Sequence, residues 1–278
     1  MSKIFALCNQ KGGVGKTTSA INLAAGVALK GFKVLIVDLD PQGNTTSGLG
    51  VDRRSLNQTT YDVLIGNEKI RNIFQPTSID NLILAPSNVD LTGAEIELID
   101  ALGREFILKS ALKELASDST SEFDFIFIDC PPSLGILTLN ALVAAERLLI
   151  PLQCEYYALE GLGQLLNTFK LVKERLNQIL EISGVILTMA DFRTKLTTEV
   201  IEEVRSHFGE KVFSAIIPRS VKLSEAPSFG KPAIIYDPGN RGSRSYLQLA
   251  EEFIQREHGT EKLPVVEDLA AEPKMQIE

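Results

Sequence analysis

The chain has 278 residues, 44% of them hydrophobic and 23% charged, the composition of an ordinary globular protein with ample material for a buried core. That excludes a disulfide-stapled miniprotein and a disordered polymer. The net charge of −8, from 36 acids and 28 bases, argues against a uniformly basic nucleic-acid coat but leaves room for a local basic patch.

In chain order, short aliphatic runs alternate with longer amphipathic stretches. Lys3–Cys8 reads as a strand, Gly15–Lys30 as a helix and Lys33–Asp38 as a second strand. Residues Pro41 to Gly103 are rich in Gly, Asn, Thr and Pro; they predict loops and short helices around a strand at Asn81–Ala85. Helices then follow at Arg104–Ala116, Leu134–Ala144, Leu159–Leu176, Thr197–Phe208 and Ser243–Glu257. The strands between them are Asp124–Asp129, Arg147–Pro151, Gly184–Met189 and Val212–Ile217. This alternation predicts an α/β fold, a mostly parallel twisted sheet flanked by helices on both faces.

With no linker inside it, the pattern predicts one domain over residues 1–258. An acidic tail over 259–278, with five acids against Lys262 and Lys274, is expected to be disordered. Two residues precede the first strand, so an N-terminal helix-turn-helix domain is not expected. Cys8, Cys130 and Cys154 stand far apart in the sequence and read as small buried hydrophobes of a reducing compartment. No apolar run has the length of a membrane span, so the expected location is the cytoplasm, without a membrane partner.

The strongest local signal is Lys11-Gly12-Gly13-Val14-Gly15-Lys16-Thr17-Thr18, between a predicted strand and a predicted helix. Consecutive backbone N–H groups and a helix N-terminus there cradle phosphates, Lys16 reaches the β and γ oxygens, and the Thr17 hydroxyl holds Mg²⁺. Two further carboxylates, Asp38 and Asp40, end the second strand, and strand alternation directs both to the phosphate site. One of them orients the water that attacks the γ-phosphate. Phe125-Ile126-Phe127-Ile128-Asp129 is an apolar strand ending in an acid, in the form of a Walker B motif whose carboxylate holds Mg²⁺ through its waters.

The extra lysine before Gly12-Gly13 makes the loop resemble that of the deviant Walker A ATPases, the ParA/MinD family of P-loop NTPases. Nearly the whole chain is similar to its ParA/Soj branch. Asp40-Pro41-Gln42-Gly43-Asn44-Thr45-Thr46 and Ile217-Pro218-Arg219-Ser220-Val221-Lys222-Leu223-Ser224-Glu225-Ala226-Pro227 carry the likeness outside the loop. The resemblance implies that Lys11 reaches across an ATP-bound homodimer to the partner's phosphates and that Asp40 is the hydrolytic carboxylate. It also sets Asp38 and Asp129 near Mg²⁺ and Pro218 and Arg219 by the adenine. Cofactors are therefore ATP and Mg²⁺.

From Arg193 to Arg244 nine bases outnumber six acids, a net +3 in an otherwise acidic chain. The resemblance assigns non-specific double-stranded DNA contacts to Arg193 and Lys222, with Lys195, Lys211 and Arg219 contributing. Lysine and arginine would bind phosphates there without reading bases. It further implies a ParB-type centromere-binding partner that stimulates hydrolysis, and a nucleoid-associated location. Two other outputs share the core: a polar-positioning ATPase docked on a protein scaffold, and a metabolic or assembly P-loop enzyme without DNA. A basic membrane-binding helix is not expected, because the tail is acidic and holds Pro264 and Pro273.

Overall fold

The computed structural model describes residues 2–117, 123–155 and 161–258. The expected acidic tail lies outside the described residues. Seven strands form one sheet: β1 (Lys3–Leu7), β2 (Val34–Asp38), β3 (Gln75–Pro76), β4 (Leu82–Ala85), β5 (Phe125–Asp129), β6 (Arg147–Gln153) and β7 (Glu181–Thr188). Their order is β3-β4-β2-β5-β1-β6-β7, and every pairing is parallel except β3 against β4. The two-residue β3, unmarked in the sequence pattern, supplies the antiparallel edge.

Strand alternation divides the core into two layers. Ala6, Leu35, Val37, Ile126 and Ile128 face one cluster, while Phe5, Leu7, Ile36, Phe125 and Phe127 face the other. Helix α1 (Lys16–Leu29) lies on the second face. It is followed by α2 (Asn44–Gly48), α3 (Thr60–Ile65), α4 (Leu91–Glu97), α5 (Ile107–Ser117), α6 (Ile136–Ala144), α7 (Leu162–Arg175) and α8 (Lys195–Phe208). The last three are α9 (Val221–Glu225), α10 (Ala233–Tyr236) and α11 (Arg241–His258). Residues of α4 to α8 fill the first layer, and residues of α1, α10 and α11 fill the second. The predicted α/β sandwich is therefore present, with helices on both faces.

One expected strand is absent. Residues 212–217 run beside β7 but make only isolated bridges, Val185 to Val212 and Ala190 to Pro218. The Glu252 carboxylate on α11 captures the backbone N–H groups of Ser214 (2.9 Å) and Ala215 (3.0 Å), which diverts them from the ladder. Phe213 and Ile217 on either side still donate to Val185 and Leu187 (3.0 and 2.9 Å), so the segment caps the sheet edge without extending it.

Phe253 anchors α11 to the sheet. Its ring centroid stands 4.9 Å from that of Phe5 and 5.2 Å from that of Phe125, and it is fully buried. Phe253→Ala is expected to cost about 3–5 kcal/mol, read as a lowered urea midpoint with an unchanged slope.

Candidate active site

The loops that leave the C-terminal ends of β1, β2 and β5 meet at one point, where open α/β sheets hold their ligands. Gly13 and Gly15 take left-handed backbone angles (φ 74° and 86°), so the chain can curl from β1 directly into the N-terminus of α1. Two long-range contacts hold the curl. Thr188 Oγ1, at the end of β7, donates to the Val14 carbonyl (2.8 Å), and Asn9 Oδ1 accepts from the Lys11 N–H (3.0 Å) while its Nδ2 donates to the Pro151 carbonyl (2.8 Å).

The two lysines of the loop stand in opposite environments. Lys16 is only 6% exposed, and its Nζ donates to the Lys11 carbonyl (3.2 Å). Burial lowers its pKa, and the nearby Asp129 carboxylate opposes that shift. Lys11 sits on the rim with its side chain 41% exposed, 3.5 Å from Glu155 Oε2. Arg219 reaches the other oxygen of the same carboxylate at 3.2 Å. Glu155 thus binds both cations, a pairing that no motif announced.

Beneath the loop, Asp38 and Asp129 are register partners on β2 and β5, and both are fully buried. Burial, reinforced by the neighbouring Asp129, pushes the Asp38 carboxyl up to about 7. Burial likewise raises Asp129 to about 6, with Thr45, Thr17 and Lys16 pulling the other way. The Asp38 oxygens are engaged within the chain: Oδ1 accepts from the Asp40 N–H (3.1 Å), and Oδ2 from the Thr46 N–H (2.8 Å) and hydroxyl (2.7 Å). Asp38 therefore braces the turn that carries Asp40. Asp40 is 6% exposed, and its Oδ1 accepts only from the Gln42 N–H at 2.9 Å among the described residues.

Asp129 is different. Its Oδ2 accepts from the Thr45 hydroxyl at 2.7 Å, but its buried Oδ1 has no hydrogen-bond partner among the described residues. An orphaned carboxylate oxygen beside Thr17 is the feature expected of a divalent-cation site completed by water and phosphate, so the donor set fits Mg²⁺.

A small cleft of about 100 Å³ opens beside the loop, walled by Gly15, Thr18, Met189, Pro218, Arg219 and Tyr246. The sequence-expected Pro218 and Arg219 are thus brought to the phosphate loop. Met189 lies there with φ at 53°, a strained backbone for a residue with a side chain. Arg193 and Lys222 are not brought to the phosphate loop. Arg193 is bound to Asp191 (2.6 Å), and Lys222 to Glu225 (2.9 Å). Arg193 and Arg219 share a second cavity, of about 420 Å³, with Phe192 and Arg241.

Two of the cysteines that are remote in sequence are adjacent in space. The Cys8 and Cys130 thiols, at the ends of β1 and β5, lie 2.9 Å apart and fully inside. Sequence reasoning also gave no role to Asn9, Thr45, Thr46, Ser87, Glu155 and Thr188, which hold the named carboxylates, rim cations and loop.

The paired acids make stability depend on pH. Both carboxyls hold their proton more tightly in the folded state than at the ordinary value of 3.8, so the folded state binds more protons from about pH 4 to 7. Stability of the metal-free, nucleotide-free protein should fall as pH rises through that window and level off above it. Thermal melts between pH 5 and 8 should show the midpoint dropping by several degrees, and Asp129→Asn should flatten the slope.

Residues 2–182 match the family model described as "AAA domain". The chain is 54% identical over 252 residues to the sporulation initiation inhibitor protein Soj of Bacillus subtilis, covering 91% of this chain and 98% of that one. It is 52% identical over 257 residues to the chromosome partitioning protein ParA of Myxococcus xanthus, covering 92% and 89%. Among solved structures, the cobyrinic acid a,c-diamide synthase of Mycobacterium smegmatis with ADP and magnesium superposes with a TM-score of 0.81 at 36% identity, covering 95% and 98% of the two chains. The septum site-determining protein MinD of Pyrococcus horikoshii, complexed with Mg-ADP, gives 0.71 at 28% identity, covering 91% and 96%. With a two-lysine phosphate loop, a buried carboxylate pair and likeness extending well beyond both, the chain belongs to the Soj/ParA family of chromosome-partitioning ATPases.

Proposed function

We infer that this ATPase is a DNA-segregation switch. ATP closes two copies face to face, the closed dimer binds double-stranded DNA without sequence preference, and hydrolysis reopens it. The observation that carries the reading is the contrast between the two lysines of the loop. Lys16 is buried over the carboxylates, where it meets the phosphates of its own nucleotide, whereas Lys11 stands on the rim, available to a nucleotide held by a second copy.

In this reading the N–H groups of Gly12, Gly13, Val14, Gly15, Lys16, Thr17 and Thr18 bind the phosphates, and Pro218 and Arg219 flank the base. Thr17 and Asp129 would hold Mg²⁺, Asp129 having an Oδ1 without a hydrogen-bond partner among the described residues, while Asp38 supports them from behind. When bound, the metal would supply positive charge that offsets that of the phosphates. Asp40 accepts a hydrogen bond from the attacking water. The water oxygen bonds to the γ-phosphorus as the bond from that phosphorus to the β–γ bridging oxygen breaks; the electron pair stays on ADP, and the water's protons pass to the phosphate formed and to solvent. Lys16 and the partner's Lys11 neutralise the charge that builds on the leaving oxygen.

Arg193 and Lys222 contact DNA phosphates on the dimer surface. Each is held by a carboxylate of its own chain, so DNA must displace Asp191 and Glu225, which keeps a single copy weak and makes joining two patches decisive. A ParB-type centromere-binding protein is the partner we assign to stimulate hydrolysis, and the nucleoid is the location. No helix among the described residues is long and apolar enough to cross a membrane.

Binding to non-specific duplex DNA with ATP, ADP or no nucleotide tests the reading, with Asp40→Ala holding the ATP state. Binding should require ATP and weaken with salt, its logarithmic slope rising by about 0.9 per phosphate contacted. Lys11→Ala should abolish ATP-dependent dimerisation and DNA binding together. A protein that dimerises with ATP but binds no DNA would assign the output to a protein scaffold or a metabolic reaction.

The local ion pairs give a second test. Arg193→Glu should remove DNA binding, whereas Asp191→Asn, which frees Arg193, should tighten it and steepen the salt dependence. Fluorescence anisotropy with a labelled duplex at two salt concentrations reads both effects.

A further inference from the structure

Cys8 and Cys130 take no part in the mechanism described above, yet they stand at the root of its site. Leu7 and Asp129 are register partners on β1 and β5, and the next step of the same register sets Cys8 beside Cys130. Strand alternation turns Ala6 and Cys8, with Ile128 and Cys130, into one layer of the core, where the two thiols meet at 2.9 Å. Neighbouring strands lie about 4.8 Å apart, within the roughly 4.4–6.8 Å between α-carbons that a disulfide spans. The pair can therefore be joined without a change of register.

Each cysteine is next in the chain to a working part of the phosphate site. Asn9, which follows Cys8, accepts from the Lys11 N–H (3.0 Å) and donates to the Pro151 carbonyl (2.8 Å), so it sets the curl of the loop. Asp129, which precedes Cys130, carries the buried Oδ1 without a hydrogen-bond partner among the described residues. Across the strand ends the Cys130 N–H donates to the Leu7 carbonyl at 3.3 Å, a long bond that permits small relative movement. A covalent bond between the sulfurs would draw the two loop roots together, and in a packed layer the flanking residues must take up the displacement.

Burial alone does not single out this pair. Cys154 is 4% exposed, against 1% for Cys8 and 0% for Cys130, but it makes no thiol contact among the described residues. The Lys16 ammonium, moreover, interacts electrostatically with both Cys8 and Cys130. That sets the sulfurs beneath the phosphate loop, on the side a nucleotide would cover. A reactant that reaches them must be small and must come past Lys16, which fits a peroxide.

We propose that Cys8 and Cys130 are a modification site at which hydrogen peroxide forms a reversible disulfide, and that this bond weakens nucleotide binding. One thiol sulfur attacks a peroxide oxygen; the O–O bond breaks, the sulfur becomes a sulfenic acid, and the other oxygen leaves with the thiol proton as water. The second sulfur then attacks the sulfenic sulfur, the S–O bond breaks, and a second water leaves. The two thiols lose two electrons and one peroxide becomes two waters. A dithiol reductant reverses the bond by exchange. The proposal concerns the ATPase site and does not depend on DNA binding.

The test treats the full chain, freed of reductant, with hydrogen peroxide in the presence and absence of Mg-ATP. Thiols titrated in denaturant should fall from the three of the sequence to one. Mass spectrometry of the unreduced digest should show the fragments holding residues 8 and 130 joined. Turnover should fall several-fold and return with dithiothreitol, and binding of a fluorescent ATP analogue should weaken in parallel. Mg-ATP added first should slow the oxidation. Cys8→Ser and Cys130→Ser should each keep their own untreated turnover at the same dose, whereas Cys154→Ser should be inactivated like the parent. Should either serine variant of the pair fail to fold, the digests of the parent and of Cys154→Ser still decide. Three intact thiols in the parent, single sulfurs oxidised without a link, or a link through Cys154 or between copies overturns the proposal. So does a Cys8–Cys130 link that leaves nucleotide binding and turnover unchanged, and oxidation as fast with Mg-ATP as without it overturns entry past Lys16.

Discussion

The structure depends on placing carboxylates side by side away from water. Asp38 and Asp129 are register partners at the tips of adjacent strands, fully buried, with Asp40 only a turn away. Two ionised carboxylates so placed repel each other and lose hydration, and only hydrogen bonds and a buried cation offset this. Thr45 and Thr46 of α2 and Lys16 of α1 supply them. The compensation is incomplete: among the described residues Asp129 Oδ1 has no hydrogen-bond partner, and the Lys16 ammonium donates only to a backbone carbonyl. That deficit prepares the site for a divalent cation and a phosphate.

The cations outside the site follow the opposite rule. Lys11 and Arg219 share Glu155, Arg193 is held by Asp191 and Lys222 by Glu225, all within reach of water. Exposed pairs of this kind contribute about 0–1 kcal/mol each, so an incoming phosphate can replace the carboxylate at little cost. At the rim, one carboxylate, Glu155, balances two cations.

The segment that leads into α4 reaches the buried site. Ser87 ties the start of that segment to the Asp40 turn. The turn between β2 and α2 is therefore braced from the inside by Asp38 and from the outside by Ser87. Since Asp40 has few contacts of its own, its position is set by these braces.

The sequence by itself determined what is local and periodic. The phosphate loop is contiguous, so Gly12 to Thr18 can be read from spacing alone, and the aliphatic runs ending in Asp38 and Asp129 locate the strands because a doubly covered sheet needs continuous apolar residues. Tertiary structure decided whatever depends on residues far apart in the chain. Thr188 closes on Val14, Ser87 on Asp40, Cys8 on Cys130 and Glu155 on both Lys11 and Arg219, and no motif marks Thr188, Ser87 or Glu155. The segment 212–217 shows the same limit from the other side. Its β-branched and aliphatic residues read as a strand, yet Glu252 on α11 takes two of its N–H groups, because a backbone donor bonds to whichever acceptor the packed fold brings closest.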